Sequence, residues 1–313
     1  MRAVGVIEYG GPEALEVVEL STPEAGPGQV RIRVRATAVS PTDTHVRAGT
    51  RAEQQAKTGP PPYVPGMDVA GVLDQIGEGA DTDLQVGDQV MAMVLPRGSH
   101  GAYSEYVALP AESVARMPAG SSFAEACTLP MNGLTARLSL DQLALQPGQT
   151  LAVTGAAGCY GGYMVELAKA DGLRVIADSS EADEELVASF GADVIIRRGD
   201  DVADRIREHA PDGVDGLADG SVQMDPLVAA VRDGGGFASV RGWPGNGERG
   251  IQFHITWVFD YAKEQAKLDR LRQQAEDEQV SLRVAGTVPM ENASEAHARL
   301  EAGGTRGRWV IEF

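Results

Sequence analysis

Between Leu151 and Asp178 the chain reads LAVTGAAGCYGGYMVELAKADGLRVIAD. An apolar strand (Leu151 to Thr154) enters a turn with glycine at Gly155, Gly158 and Gly161, and a helix then leads to a second apolar strand (Arg174 to Ala177). Glycine at those positions lets the backbone turn tightly and approach a pyrophosphate, whose charge is met by turn amides and the positive end of the following helix. Ala156, Cys159 and Tyr160 complete the turn and join the expected cofactor-binding set. Asp178 ends the second strand, where a carboxylate can hold ribose hydroxyls. Such a glycine spacing can also be a structural turn. Strand, turn, helix and strand within one βαβ unit predict dinucleotide binding.

The elements that must position this unit fall into two textures, and a chain of 313 residues is long enough for two domains. From Met1 to about Pro118, short β-rich segments split by Gly and Pro (VRIRVRATAV, DVAGVLDQIG, DQVMAMVL, AYSEYVAL) predict a compact, partly open barrel. From about Ala119 to Asp260, strands alternate with helices predicted over 162–171, 182–190 and 202–209, with later strands near 214–218 and 236–240. That alternation gives a doubly wound parallel sheet. The charged stretch YAKEQAKLDRLRQQAEDEQ reads as a solvated surface helix. The last segment reads as strand, helix and strand returning to the first domain. The expected division is therefore 1–118 with 261–313, and 119–260 as an inserted nucleotide domain.

A formal charge of −18 argues against nucleic acid or an anionic membrane as partner. The basic exceptions, RIRVR (Arg31 to Arg35) and Arg306 with Arg308, read as one solvated strand face. No apolar run reaches the roughly 20 residues of a bilayer span, and the first residues lack the charged and apolar regions of a signal peptide, so a cytoplasmic location is expected. Two cysteines can form neither a four-cysteine zinc cluster nor a disulfide framework. Cys127 reads as core. Cys159, just before a helix where positive potential lowers a thiol pKa, is read as supplying backbone and shape rather than redox sensing.

Several segments, in order and over nearly the whole chain, resemble the medium-chain dehydrogenase/reductase superfamily and its zinc-free quinone oxidoreductase (zeta-crystallin-like) branch. They are AVSPTDTHVRAG, YVPGMDVAGVL, VGDQVMAM, GAYSEYVALP, LPMNGLTA, the glycine turn and EAHARLEAGGTRGRWVI. The resemblance implies an α/β protein, a GroES-like β-barrel joined to a Rossmann domain, with cofactor and substrate in the cleft between them and commonly a homodimer. Zinc-dependent relatives place cysteine at the position of Ser40 and a His-Glu pair at Met67 and Asp68. Serine and methionine are poor zinc ligands, so no metal is expected. Hydride delivery from NAD(P)H to a polarised acceptor, a quinone or an α,β-unsaturated carbonyl, is the implied reaction.

The same resemblance assigns the loop Ser40 to Arg47 to the acceptor. Ser40 stands where zinc-free relatives commonly carry asparagine. His45 replaces a frequent tyrosine, and either protonates product or only hydrogen-bonds the loop. Asp43 is read as an acceptor that stabilises the loop more than as an acid or base, and Tyr63 either shapes the pocket or packs. On the nucleotide side, Asn132 and Thr135 align with the segment near the nicotinamide, and Val240, Arg241 and Gly242 lie beyond a strand end that approaches the same ring. For the choice of cofactor, acidic DSSEADEELV opposes a 2′-phosphate, while Ser179, Ser180 and Arg198 can donate to one. The balance falls slightly to NADPH over NADH. Two alternatives stay open: a pathway-specific reductase or dehydrogenase of the same fold, and a non-catalytic NAD(P)H-binding scaffold in which Tyr160 crowds the pyrophosphate.

Overall fold

The computed structural model describes residues 1–313 and divides them into two compact units. The first contains Met1–Met131, Ala262–Glu276 and Leu282–Phe313; the second contains Asn132–Tyr261 and Asp277–Ser281. The sequence puts the first boundary near residue 118, whereas residues 119–131 belong to the first unit. Ser122 accepts from the Glu125 amide at 3.2 Å and so caps a short helix, Cys127 after it is fully buried, and the Met131 amide donates to Asp68 Oδ1 at 2.7 Å.

The first part of the chain forms β1 (Arg2–Gly5), β2 (Glu16–Glu19), β3 (Gln29–Ala38), α1 (Pro41–Ala48), α2 (Ala52–Ala56), β4 (Asp68–Ile76), β5 (Gln89–Met93), β6 (Tyr106–Pro110), β7 (Val114–Arg116) and α3 (Phe123–Ala126). Next come α4 (Pro130–Leu143), β8 (Thr150–Thr154), α5 (Cys159–Ala170), β9 (Arg174–Ser179), α6 (Glu184–Ser189), β10 (Val194–Arg197), α7 (Val202–His209), β11 (Val214–Asp219), β12 (Val231–Ser239) and β13 (Gln252–Ile255). The chain ends with α8 (Gln265–Glu276), β14 (Val284–Pro289), α9 (Ala293–Glu301) and β15 (Arg308–Glu312).

In the first unit a seven-stranded sheet runs β14-β15-β3-β4-β5-β7, with β6 paired to β3. Period-two patterning on β3 sends Val30, Ile32 and Val34 into a core with Val69, Leu73 and Val107, while Arg31, Arg33 and Arg35 take the other face. Arg31 pairs bidentately with Asp74 at 3.0 and 3.1 Å. Arg308 departs from the solvated face expected of it. It is buried, donating to Asp68 Oδ2 at 2.9 Å and to the Val39 carbonyl at 2.9 Å, because β15 lies inside the sheet between β14 and β3. The charged helix α8 likewise has a buried stripe, Leu268, Leu271 and Gln274, at helical spacing.

A polar chain through this unit fixes α1. Asp43 accepts from Gly66 N–H at 2.9 Å and from the Tyr103 hydroxyl at 3.3 Å, and Tyr103 meets His297 Nε2 at 3.0 Å. His297 Nδ1 lies 3.4 Å from Arg47 Nη1, and Arg47 in turn pairs with Glu301 at 2.5 Å. A guanidinium only donates, so Nδ1 accepts, Nε2–H donates to Tyr103, and the phenol donates to Asp43. Burial first, and then the Arg47 charge, hold the imidazole down at about 3.

The second unit is a six-stranded parallel sheet, β10-β9-β8-β11-β12-β13. The chain winds outward from β8 through β9 to β10, then returns to place β11 on the other side of β8. That reversal is the topological switch point, where open sheets of this type bind ligands beyond their carboxyl ends. The core, including Ile176, Ile206, Leu217, Leu227 and Phe237, lies below that edge.

His297 is neutral in the folded state and binds a proton near pH 6.5 once unfolded. Its contribution is therefore complete above about pH 6.5 and is lost as the pH falls toward 3, by ~1.4 kcal/mol per pH unit. In urea unfolding followed from pH 7 to pH 4, wild type is expected to lose stability more steeply than His297→Gln; parallel curves would contradict this assignment.

Candidate active site

The glycine turn is built by close backbone approach. Gly155 has φ +65°, and a Cβ there would lie 2.7 Å from the Gly220 carbonyl carbon. A Cβ on Gly161 would lie 2.3 Å from the Gly155 carbonyl oxygen and 2.7 Å from Ala156 Cα. These positions exclude side chains. Gly158 caps α5, its N–H donating to the Gly155 carbonyl at 3.0 Å. The helix starts at Cys159, three residues before the position expected from sequence, because Gly161 lets its first turn press onto the strand-end turn. Its 12 residues aim the positive end of the helix dipole at the turn.

Thr154, Asp219 and Ser239 close β8, β11 and β12 side by side in register, and all three are buried. Asp219 was missed by the motif reading. It accepts from Thr154 Oγ1 at 3.0 Å, Ser221 Oγ at 3.0 Å, Val222 N–H at 2.7 Å and Met224 N–H at 2.8 Å. These bonds hold a loop in which Val222 and Met224 take φ of 62° and 63°. Left-handed backbone at non-glycine residues costs on the order of 1 kcal/mol each, and the carboxylate supplies the compensating bonds. The available signal was an acidic residue followed by Gly-Ser at the end of an apolar strand.

Asp178 lies beneath the turn. It is buried, and its Oδ1 accepts from Ala156 N–H at 3.1 Å. Burial pushes its carboxyl pKa up, against the turn amides and the Arg198 charge. Ser179, not Asp178, ends β9, and it is also buried. The Ser180 hydroxyl donates to Asp183, which is buried. Arg198 follows β10 with an exposed side chain, and its N–H donates to the Ser179 carbonyl at 2.9 Å. The structure thus brings Ser180 and Arg198 to the ends of adjacent strands.

Tyr160 joins a hydroxyl cluster. Its phenol lies 2.8 Å from Ser139 Oγ, Ser139 Oγ lies 2.9 Å from Thr256 Oγ1, and Thr256 donates to Gln142 Oε1 at 3.0 Å. On α4, Asn132 is half-buried and Thr135 buried, and the Thr135 carbonyl accepts from Ser139 Oγ at 3.1 Å. Val240, Arg241 and Gly242 continue from β12, with Arg241 and Gly242 exposed.

In the first unit, Ser40 and Asp43 are fully buried. Asp43 Oδ2 accepts from both the amide and the hydroxyl of Ser40, at 2.7 and 2.9 Å, so the pair fastens the start of α1. Burial drives the Asp43 carboxyl up, and its donors, Ser40 foremost, pull it down. His45 is half-buried, its Nδ1 3.3 Å from Thr50 Oγ1. Tyr63 is buried and stacks on Tyr9 with centroids 5.5 Å apart and an interplanar angle of 6°. Burial and hydrogen bonding to Tyr63 push the Tyr9 phenol up to about 12.

Comparison with known proteins agrees with this architecture. Residues 26–119 match the family described as alcohol dehydrogenase GroES-like domain, and residues 190–311 match zinc-binding dehydrogenase. Over 321 residues the chain is 30% identical to the NADPH-dependent alkenal/one oxidoreductase, chloroplastic, of Arabidopsis thaliana, covering 99% of this chain and 79% of that one. It is 30% identical to the quinone oxidoreductase of Homo sapiens over 220 residues, 69% of this chain and 64% of that protein. A mycobacterial protein solved in complex with NADPH matches with a TM-score of 0.86 and 28% identity, over 100% of both chains. A GroES-like barrel and a doubly wound parallel sheet in one chain define the class. The chain belongs to the medium-chain dehydrogenase/reductase superfamily, in its quinone oxidoreductase branch.

The zinc of the second family description does not fit these residues. No three His, Cys, Asp or Glu side chains are grouped so as to hold a metal, the Ser40 hydroxyl is bonded to Asp43, and Asp68 is neutralised by Arg308. The glycine turn, by contrast, offers a cradle that only bare backbone leaves open. Gly161→Ala is expected to destabilise the second unit by about 2 kcal/mol, since backbone rather than a flexible side chain must give way. Unchanged denaturation would show that the close approach is dispensable.

Proposed function

We propose that this protein is a zinc-independent, NAD(P)H-dependent oxidoreductase that reduces a quinone or an α,β-unsaturated carbonyl. The carrying observation is the side-chain-free cradle of Gly155 and Gly161 at the switch point of a parallel sheet, with α5 aimed at it. The similarity to an alkenal/one oxidoreductase and a quinone oxidoreductase supports the acceptor class.

The turn from Gly155 to Gly161 would hold the diphosphate, and Asn132, Thr135 and Val240 to Gly242 the nicotinamide end. When bound, the dinucleotide supplies the hydride. The chain's part is to orient the ring, exclude water and provide a proton, for which the half-buried His45 is the candidate donor in the first unit. Tyr63 shapes the acceptor side with Tyr9. Ser40 and Asp43 hold α1 in place for that purpose.

NADPH is the preferred cofactor in this reading. Asp183 in the acidic loop after β9 is buried and bonded to the Ser180 hydroxyl, whereas Arg198 is exposed at the end of the adjacent strand β10. Arginine offers charge-assisted, bidentate bonds to phosphate. A homodimer through the edge strand β13, with Ile255 exposed, and a cytoplasmic location complete the reading.

A panel of quinones and enones with either cofactor tests the activity. Turnover is expected with NADPH over NADH and unchanged after dialysis against a chelator; chelator-sensitive activity, or none with any acceptor, would defeat the proposal. Arg198→Glu is expected to raise KM for NADPH at least ~10-fold, the cost of replacing a charge-assisted phosphate contact by a repulsive one, and to leave KM for NADH nearly unchanged.

A further inference from the structure

Tyr160 is the one bulky side chain in the glycine turn, and its ring leaves the turn rather than covering it. A Cβ built on Gly158 would meet only the Gly155 carbonyl oxygen, at 3.2 Å, so no tyrosine atom crowds that face of the cradle. The ring instead crosses toward the strand after β11: a Cβ on Gly220 would lie 3.1 Å from Tyr160 Cδ1 and 3.5 Å from Cε1. Gly220 follows Asp219, and its N–H donates to the Thr154 carbonyl at 3.0 Å, which places the phenol over the carboxyl ends of β8 and β11, at the switch point itself.

The phenol is also fixed there. The Ser139 hydroxyl donates to the Thr135 carbonyl, so the Tyr160 hydroxyl donates to Ser139; Thr256 Oγ1 lies 2.9 Å from Ser139 Oγ and donates to Gln142 Oε1, and this hydroxyl cluster ties α5, α4 and the segment after β13. Burial pushes the phenol pKa up and keeps it a neutral donor. A bulky ring held rigidly where a ligand's own ring is expected, while the phosphate cradle stays open, is an arrangement for stacking.

We infer that the Tyr160 ring is the floor on which the redox-active ring of the dinucleotide rests, with Ser139 and Thr256 as positioning residues that hold the phenol at that depth. This rests on the dinucleotide reading above and assigns it a residue. Only the nicotinamide end senses Tyr160; the adenosine end, held near Ser180 and Arg198, does not.

Two probes separate the ends: NADPH, which carries both, and 2′,5′-ADP, which carries only the adenosine end. Dissociation constants are measured by fluorescence or calorimetric titration for wild type, Tyr160→Ala, Tyr160→Phe and Ser139→Ala. Tyr160→Ala is expected to weaken NADPH about tenfold, the scale of one ring-stacking contact, and to leave 2′,5′-ADP unchanged. Tyr160→Phe restores most of the loss, and Ser139→Ala falls beside it. Retained 2′,5′-ADP binding shows that each variant is folded. Equal effects on both probes, no effect on either, or a Tyr160→Phe as weak as Tyr160→Ala overturns the floor while leaving the dinucleotide site standing. Failure of wild type to bind either probe overturns the dinucleotide reading itself.

Discussion

The approach of one backbone to another, where the first turn of α5 presses on the end of β8, is the constraint from which the second unit is organised. The space between Gly161 and the Gly155 carbonyl is too small for a methyl group, and Gly155 itself backs onto Gly220 at the end of β11. The ends of β8 and β11 and the start of α5 therefore meet without side chains between them. The buried acceptors Asp178 and Asp219 then collect the amides and hydroxyls that such tight turns leave over, one under the glycine turn and one inside the loop after β11. Polar groups buried at the carboxyl edge of an otherwise apolar sheet are costly unless bonded, and here each carboxylate is bonded to its neighbours' backbone.

The first unit solves a similar problem with ionised groups. Asp68 is fully buried, and burial raises its carboxyl to about 6 even though Arg308 and the Met131 amide favour the charge. Asp43 sits in the same interior and accepts from Ser40, Gly66 and Tyr103. The chemistry-bearing appearance of the Ser40 to Arg47 loop is thus partly architectural: Asp43 ties Ser40 to Gly66 and Tyr103, Arg47 ties α1 to α9, and His45 is left half-exposed.

Much of this was legible in residue patterns. Period-two alternation located β3, glycine spacing located the cradle, and the alternation of apolar runs with helical stretches located the parallel sheet. What pattern could not give was partnership across long separations. Arg308 reads as a surface residue until Asp68 is seen to need it, 240 positions away. Asp183 reads as one more exposed carboxylate of an acidic loop, yet it is buried and accepts from the Ser180 hydroxyl. Asp219 has no motif, because its role is to bond whichever amides the following loop presents. The direction of the Tyr160 side chain is set with Ser139 and Thr256, which no local rule connects to it.

The order of strands around Asp68 bears on how the chain is made. β4 emerges early in synthesis, but the guanidinium that neutralises its first residue, and the strand β15 that pairs with β3, come from the last six residues. Without β15 the barrel would carry an uncompensated internal anion and an open edge beside β3, so a strand far along the chain is a condition for the core that the early strands form.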